Sequence, residues 1–418
     1  MKKQKYIKIL AATVIMTSTL GVISVGSSSV SAQQVAMDEK SEVVHIPDSI
    51  LRKNIKAKLG IVEDSEITKA RLATITYMET TYAGIQNLSG LEYLTNLREI
   101  WLDGNQISDI SPLGNLPKLQ TLKLPGNKIS DVSGLTNLPN LQKLELSENQ
   151  IQDISSLAKA NLLNLTALSL NSNQIKDVSP LGKLTKLTEL GLYGNQITDV
   201  SPLKNLTRLT GLNIGGNQVQ NITPLADMKG LTSLFLSENQ INDVSPLTSL
   251  TELYGLDLSG NQISDVSPLA RLSKLIFLNL ASNQITDVSP LSDRTFNQLD
   301  VSKNWLSEIP TNWNSHQIAE NFIDGKENQY NAAFSSETIN LKIGETKTLP
   351  VNWKYNNQEE KVPTHLPEKP ILTVDNENVT ASGTQTVLQL QANKVGTSVV
   401  TYEPVPGLKK TVTVTVTE

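Results

Sequence analysis

The amino-acid sequence predicts a parallel-strand solenoid, closed in front by a short helical cap and followed by a β-sandwich. Three observations carry this. Leucine is concentrated in one segment, with 47 of the chain's 59 leucines lying between Leu88 and Leu306. An asparagine recurs at near-constant spacing through the same segment, at Asn105, Asn127, Asn149, Asn173, Asn195, Asn217, Asn239, Asn261, Asn283 and Asn304. Beyond Pro310 the repeat dissolves into short runs that alternate Thr with Val. The 418 residues are 18% charged and 38% apolar, which excludes a disordered polymer and a membrane bundle. Without cysteine there is no disulfide framework, thiolate nucleophile or Cys-ligated metal. His45, His316 and His365 fall in three separate stretches, so neither a metal cluster nor a base beside a nucleophile is expected.

The first element is a secretory signal peptide over residues 1–32. Lys2, Lys3, Lys5 and Lys8 precede an apolar run from Ile9 to Gly26, and Val30-Ser31-Ala32 supplies a small-x-small cleavage pattern. Retention as a membrane anchor is the competing reading, but Thr13, Thr17, Ser18, Thr19 and Ser24 dilute the run. Cleavage removes these four lysines and no carboxylate, so the exported chain is more acidic than the formal charge of -5. Such a chain is a poor partner for nucleic acid, and membrane contact is expected only if the signal peptide is retained. Residues 43–71 then form the helical cap. Leu51, Ile55 and Leu59 make an apolar stripe at i, i+4, i+8, which covers the open edge of the first repeat. Arg52, Lys53, Lys56 and Lys58 are its expected wet face.

Residues 72–310 hold about eleven units of 22 residues, the first eroded. A full unit reads Leu184-x-x-Leu187-x-x-Leu190-x-Leu192-x-x-Asn195-x-Ile197-x-Asp199-Val200-Ser201-Pro202-Leu203. One short strand per unit, stacked at about 4.8 Å, makes a parallel sheet on the order of 50 Å long. Within Glu99-Ile100-Trp101-Leu102-Asp103 the alternation sends Ile100 and Leu102 inward and the other three outward, onto a concave face. The Asp-Val-Ser-Pro-Leu segment forms the opposite wall, where Pro112, Pro180, Pro202, Pro224, Pro246, Pro268 and Pro290 forbid a long helix and a 3₁₀ turn fits.

These residues resemble leucine-rich repeats, and the 22-residue unit with Asn-Gln-Ile-x-Asp-Val-Ser-Pro-Leu is similar to that of the internalin family of Gram-positive bacteria. Ile46-Pro47-Asp48 through Leu51, Ile55, Leu59 and Gly60 resembles that family's helical N-terminal cap. The resemblance implies a secreted, non-enzymatic binding protein that acts in adhesion or on a host-cell protein. The family's wall-sorting signal, Leu-Pro-x-Thr-Gly plus a tail, does not occur in the sequence, which implies the released members.

The asparagine column is expected to satisfy buried loop backbones, because an amide carries two donors and an acceptor. Asp109, Asp131, Asp153, Asp177, Asp199, Asp243, Asp265 and Asp287 suggest calcium at first sight. One carboxylate per unit falls short of the six to eight oxygens the ion takes, so each is expected to cap its turn instead. No metal and no cofactor is expected. Ligand-binding residues are sought in the outward positions six, four and two residues before each ladder asparagine, where stacking demands no particular side chain. Tyr77, Trp101, Tyr193, Phe235 and Phe277 stand there as large rings suited to a protein interface, with cross-strand packing of surface rings as the alternative. The same columns carry Glu79, Glu99, Asp103, Glu145, Glu189, Asp257 and Asp300 against Lys123 and Lys143, an acidic face suited to a partner with a basic patch.

The last element is a small β-sandwich over 320–418, with strands read at Thr338–Ile343, Val387–Leu390, Thr397–Thr401 and Thr411–Thr417. Ile343-Gly344-Glu345-Thr346 and Ala392-x-x-x-Gly396-Thr397 resemble bacterial immunoglobulin-like domains, which implies a module that closes the last repeat and serves as a spacer. A protein ligand on the concave face is the leading functional reading. An envelope-associated module that stacks aromatics on cell-wall carbohydrate is the second, and a hydrolase built on Glu99 and Asp103 ranks last because nothing activates those carboxylates.

Overall fold

The computed structural model describes residues 42–306, 310, 313, 330–334, 336–355, 358–359, 369–404 and 408–418. The signal peptide read over 1–32 lies outside the described residues, as do His316 and His365. The chain divides into two compact units inside the array, the break falling at Asn217 with Gly230–Ser233 counted in the first.

Helix α1, Ser49–Leu59, starts at Asp48, whose Oδ1 accepts from the N–H groups of Ile50 and Leu51 at 3.0 Å. It ends at Gly60, left-handed at φ 65°, with the Ile61 N–H closing back onto the Lys56 carbonyl. Leu51 and Ile55 are buried, and Leu59 is half-buried. Lys53 and Lys58 are exposed as expected, whereas the other two basic residues depart from the wet face. Lys56 is buried because its ammonium reaches the Glu63 carbonyl in the turn beyond the helix, and Arg52 Nη1 donates to the Ile46 carbonyl at 2.8 Å. Asp48 does more than cap: its Oδ2 accepts from Gln86 N at 2.9 Å and Asn87 N at 3.3 Å, which ties the helix start to the first repeat. A second helix, α2, Lys69–Leu72, follows, with Thr68 Oγ1 as its cap.

Eleven strands of three residues then pair in chain order in one sheet. They are β1 Tyr77–Glu79, β2 Glu99–Trp101, β3 Thr121–Lys123, β4 Lys143–Glu145, β5 Ala167–Ser169, β6 Glu189–Gly191, β7 Gly211–Asn213, β8 Ser233–Phe235, β9 Gly255–Asp257, β10 Phe277–Asn279 and β11 Gln298–Asp300. The pairing is parallel, with Met78 opposite Ile100 and Leu190 opposite Leu212. Register survives where the spacing does not. Leu144 pairs with Leu168 across 24 residues and Leu278 with Leu299 across 21. The extra residues of the longer unit are absorbed on the opposite wall, where Leu163 is 68% exposed.

That wall carries 3₁₀ turns, as the prolines require. Ser111–Leu113, Ser179–Lys183, Ser201–Asn205, Thr223–Leu225, Ser245–Ser249, Ser267–Arg271 and Ser289–Leu291 each hold their proline in the first turn. Where Gly134 replaces proline, a plain turn forms instead. A Cβ there would meet Ser111 Cα at 2.9 Å, so glycine is what the close backbone approach admits. Each aspartate accepts the N–H of the serine two residues on, as Asp199 Oδ1 does from Ser201 at 2.8 Å. It acts one position ahead of the formal cap residue, Val200, which makes no side-chain cap bond.

The ladder asparagines are buried. Asn195 is representative: its Oδ1 accepts from Ile175 N at 3.0 Å, and its Nδ2 donates to the carbonyls of Leu170 and Leu192 at 3.0 Å each. One amide thus satisfies backbone groups of two consecutive units. The residue before each ladder position is left-handed, as Gly104, Gly126 and Gly194 are, and also Glu148, Ser172 and, in the eroded unit, Tyr82 at φ 51°.

Two sheets make the sandwich. One orders β12 Tyr330–Phe334, β14 Thr346–Tyr355, β18 Val387–Ala392 and β17 Val379–Gly383, with β15 Gln358–Glu359 beside β14. The other orders β13 Thr338–Lys342, β20 Lys410–Thr417, β19 Gly396–Glu403 and β16 Ile371–Val374. Strand β20 buries Val412, Val414 and Val416 and turns its threonines outward, the alternation read from the sequence. Trp305, one residue past the last ladder asparagine, is buried in the sandwich core with its ring 5.2 Å from that of Trp353. The last repeat is therefore closed by the sandwich through a shared core.

Two expectations follow. Asn195→Ala strands the Ile175 N–H in a buried turn and leaves the Leu170 carbonyl only its bond from Asn173 Nδ2, and should cost about 1–3 kcal/mol in chemical denaturation, with Asp199→Ala costing less. An unchanged midpoint for Asn195→Ala would remove the ladder as a source of stability. For Asp48, burial acts to raise the carboxyl, but the N–H groups of Gln86, Leu51, Asn87 and Ile50 together hold it below the ordinary range. A carboxyl lowered by folding contributes in full above the unfolded value of about 3.9 and loses that contribution as pH falls through its lower folded value. Asp48→Ala should thus cost about 1 kcal/mol at neutral pH, and the gap to the parent protein should close on acidification. A gap that is constant with pH would contradict this.

Candidate functional site

The outward columns of the strand face are built by alternation, since each core leucine or isoleucine of a strand leaves its neighbours on the other side. In the first unit these neighbours assemble into a cluster on β1–β3. The Trp101 ring packs edge-on against Tyr77, centroids 5.8 Å apart, and Lys123 Nζ lies 3.7 Å from the indole centroid. The Tyr77 hydroxyl donates to Glu79, and burial followed by the nearby carboxylates raises its pKa. Lys58 Nζ, from α1, lies 4.9 Å from the Tyr77 ring. Burial also raises the Asp103 carboxyl, against the pull of Lys123 and with Glu79 adding repulsion. Trp101 is half-buried rather than open, and neither its Nε1 nor Asp103 Oδ1 meets water or a hydrogen-bond partner.

Glu145, Glu189 and Tyr193 sit further along the same unit and do not join that cluster. Burial raises Glu145, which accepts from Ser147 N at 3.2 Å. Glu189 is raised for the same reason and accepts from Thr210 Oγ1 at 3.1 Å. Its carboxylate occupies the space where a Cβ on Gly211 would stand, 2.0 Å from that point. The Tyr193 ring reaches across to Gly216, where a Cβ would stand 3.2 Å from Cε2.

The second unit presents Phe235, Asp257 and Phe277. Phe277 packs against Tyr254, centroids 5.1 Å apart. Asp257 accepts from Ser259 N at 3.0 Å and Ser259 Oγ at 2.7 Å, and its burial pushes the carboxyl up. Asp300, also buried, is raised likewise. Gly255 leaves open space where a Cβ would project, between the strand carrying Phe277 and the strand carrying Phe235.

Two aromatics lay outside the sequence reading. Tyr254 stands one residue before its strand, seven before the ladder asparagine, and is 48% exposed. Tyr82 is 83% exposed and takes the left-handed position that other units fill with Gly, Ser, Glu or Lys. Its signal was available, since no other unit has a ring one residue before the ladder position. Among the described residues no three His, Asp or Glu side chains stand close enough to hold a metal ion.

The matched relatives agree with this geometry. A leucine-rich repeat region model matches residues 71–316. The crystal structure of an internalin, InlF, from Listeria monocytogenes is 40% identical over 62% of this chain and 83% of its own, with a TM-score of 0.53. A second Listeria monocytogenes internalin, InlC2, is 39% identical over 56% of this chain and 94% of its own, with a TM-score of 0.46. A leucine-rich repeat protein of Leptospira interrogans is 25% identical over 58% of this chain and 64% of its own, with a TM-score of 0.52. The register, the buried asparagine ladder and the 3₁₀ wall are thus those of an internalin-like array, and the chain belongs to the leucine-rich repeat family.

Proposed function

We propose that this is an exported, non-catalytic binding protein that holds a protein ligand on its strand face, in adhesion or in contact with a host-cell protein that bears a basic patch. The observation that carries the reading is the set of rings at Trp101, Tyr193, Phe235 and Phe277, part-exposed at positions where stacking requires no large side chain. Rings there are protein-interface anchors. Glu79, Glu99, Asp103, Glu145, Glu189 and Asp257 supply the charge that would steer a basic surface. The N-terminal signal pattern supports release to the medium with at most loose envelope association. The sandwich, immunoglobulin-like in its motifs, serves as an end-cap and spacer, with boundaries at 43–71, 72–310 and 320–418 for cap, repeats and sandwich.

Carbohydrate binding at the envelope is a second reading, favoured by the open floor at Gly255 beside the Tyr254–Phe277 pair. Fractionating a culture into medium, wall and membrane, with a pull-down from host-cell extract and from purified wall polymer, separates the two.

The association rate for a captured protein should fall as salt rises while dissociation changes less, measured by surface plasmon resonance. A salt-independent rate would leave only the aromatics. Replacing Trp101 or Tyr193 by Ser should weaken binding by about 2 kcal/mol and spare the fold. Leu192→Ala, in the core beside Tyr193, should instead cost about 2–5 kcal/mol of stability. Normal binding by both folded serine variants would move the ligand off this face.

A further inference from the structure

We propose that the indole and carboxylate cluster on β1–β3 is a receptor for one arginine side chain of a basic protein segment, and that Lys123 is a built-in stand-in which this arginine displaces. The inference rests on the strand face being the ligand face, and narrows it to one end and one chemistry.

Lys123 already shows that the indole accepts a cation, at 3.7 Å from the ring centroid. Among the described residues no hydrogen bond or ion pair holds its Nζ. Burial and the repulsion of Lys143 both work against its charge, with Asp103, Glu145 and Glu99 attracting it through space. The ammonium is thus seated by a ring and a field, without a fixed acceptor. Within range of its charge, Asp103 Oδ1 is an acceptor with no donor, and in the indole it covers Trp101 Nε1 is a donor with no acceptor, both sealed from water. Groups left so are costly unless something completes them. A guanidinium fits where an ammonium does not: it is flat, stacks on an indole and donates in its own plane to a carboxylate. The backbone carbonyl of the arriving segment can take the Trp101 N–H.

Tyr82 forms the rim. Its ring lies against Gly104, where a Cβ would come within 2.2 Å of it, next in sequence to Asp103. Its backbone is left-handed at φ 51°, as the residue before the ladder position is in the other repeats, so what sets Tyr82 apart is its ring.

The test uses the full folded chain and an acetylated tetra-arginine amide, with tetra-citrulline as its neutral isostere, by titration calorimetry at low salt and by the indole N–H resonance of Trp101. The arginine peptide should bind and shift that resonance, and the citrulline peptide should do neither. Lys123→Met should bind about threefold tighter, and Asp103→Asn about fivefold weaker. Lys143→Met removes the same charge without uncovering the indole and should change affinity less. Equal gains from Lys123→Met and Lys143→Met, or arginine binding that leaves the Trp101 resonance unmoved, would overturn the proposal in favour of diffuse attraction. A whole-protein ligand that binds the parent chain and Asp103→Asn alike sinks the subsite and leaves the face. Arginine binding as expected, with no protein ligand on the face, sinks the protein-ligand reading and leaves the subsite.

Discussion

Everything in the array depends on one buried amide in each unit after the eroded first. A three-residue strand makes too few hydrogen bonds to fix the loop that follows it, and that loop must turn sharply with its backbone away from water. The ladder asparagine resolves this by accepting from the unit before it and donating to carbonyls of both units, as Asn105 does with Ile85 N at 3.0 Å, Thr80 O at 2.8 Å and Leu102 O at 2.9 Å. An apolar residue of the same size would take these bonds from the Ile85 N–H and the Thr80 carbonyl, and leave Leu102 O only the bond from Asn127 Nδ2. The left-handed residue just before it brings the chain round, so the asparagine and that residue act as one corner. With the corner fixed, the strand register follows, and a spacing of 24 or 21 residues changes only the outer wall.

The fold was legible because its determinants are local and repeated. Strand, asparagine, aspartate turn and proline can each be read from one unit and checked against the next. The cap's second function was not legible: Asp48 bonds Gln86 and Asn87, almost forty positions away, and nothing near Asp48 in sequence announces that. Lys56 was misread for a related reason, since a helical position that looks outward can still fold its ammonium back onto a turn. In the sandwich the ten-residue strand β14 was missed, its alternation interrupted by Pro350, which pairs opposite Val387. The candidate face was legible as columns but not as clusters. Periodicity puts Trp101 and Lys123 side by side on adjacent strands, yet only the side-chain conformations of the folded chain set the ammonium on the ring.

Charge on the strand face is also less free than a count of carboxylates suggests. Glu145, Glu189, Asp257 and Asp300 are all pushed up by burial. Asp257 and Asp300 each accept the N–H of a serine two residues on, so part of the apparent acidity closes strand ends. Asp103 is raised by burial too, but it keeps an oxygen without a partner, with Lys123 and Glu79 near enough to act on its charge.

The glycines explain why the face cannot be read one residue at a time. Glu189 lies over Gly211 and the Asn171 amide over Gly191, 2.8 Å from where a Cβ would stand. Tyr82 covers Gly104 in the same way. At these positions a large side chain in one repeat is accommodated by an absent one in the next, and that part of the surface is a tiling in which the carboxylate, amide or ring is seated over its neighbour's glycine. Gly255 departs from this, with open space above it and the Tyr254–Phe277 pair alongside. In a tiled surface an uncovered glycine is a vacancy at the height of one side chain, so a ligand reaching that part of the face would find its floor there, with its walls set by the two rings.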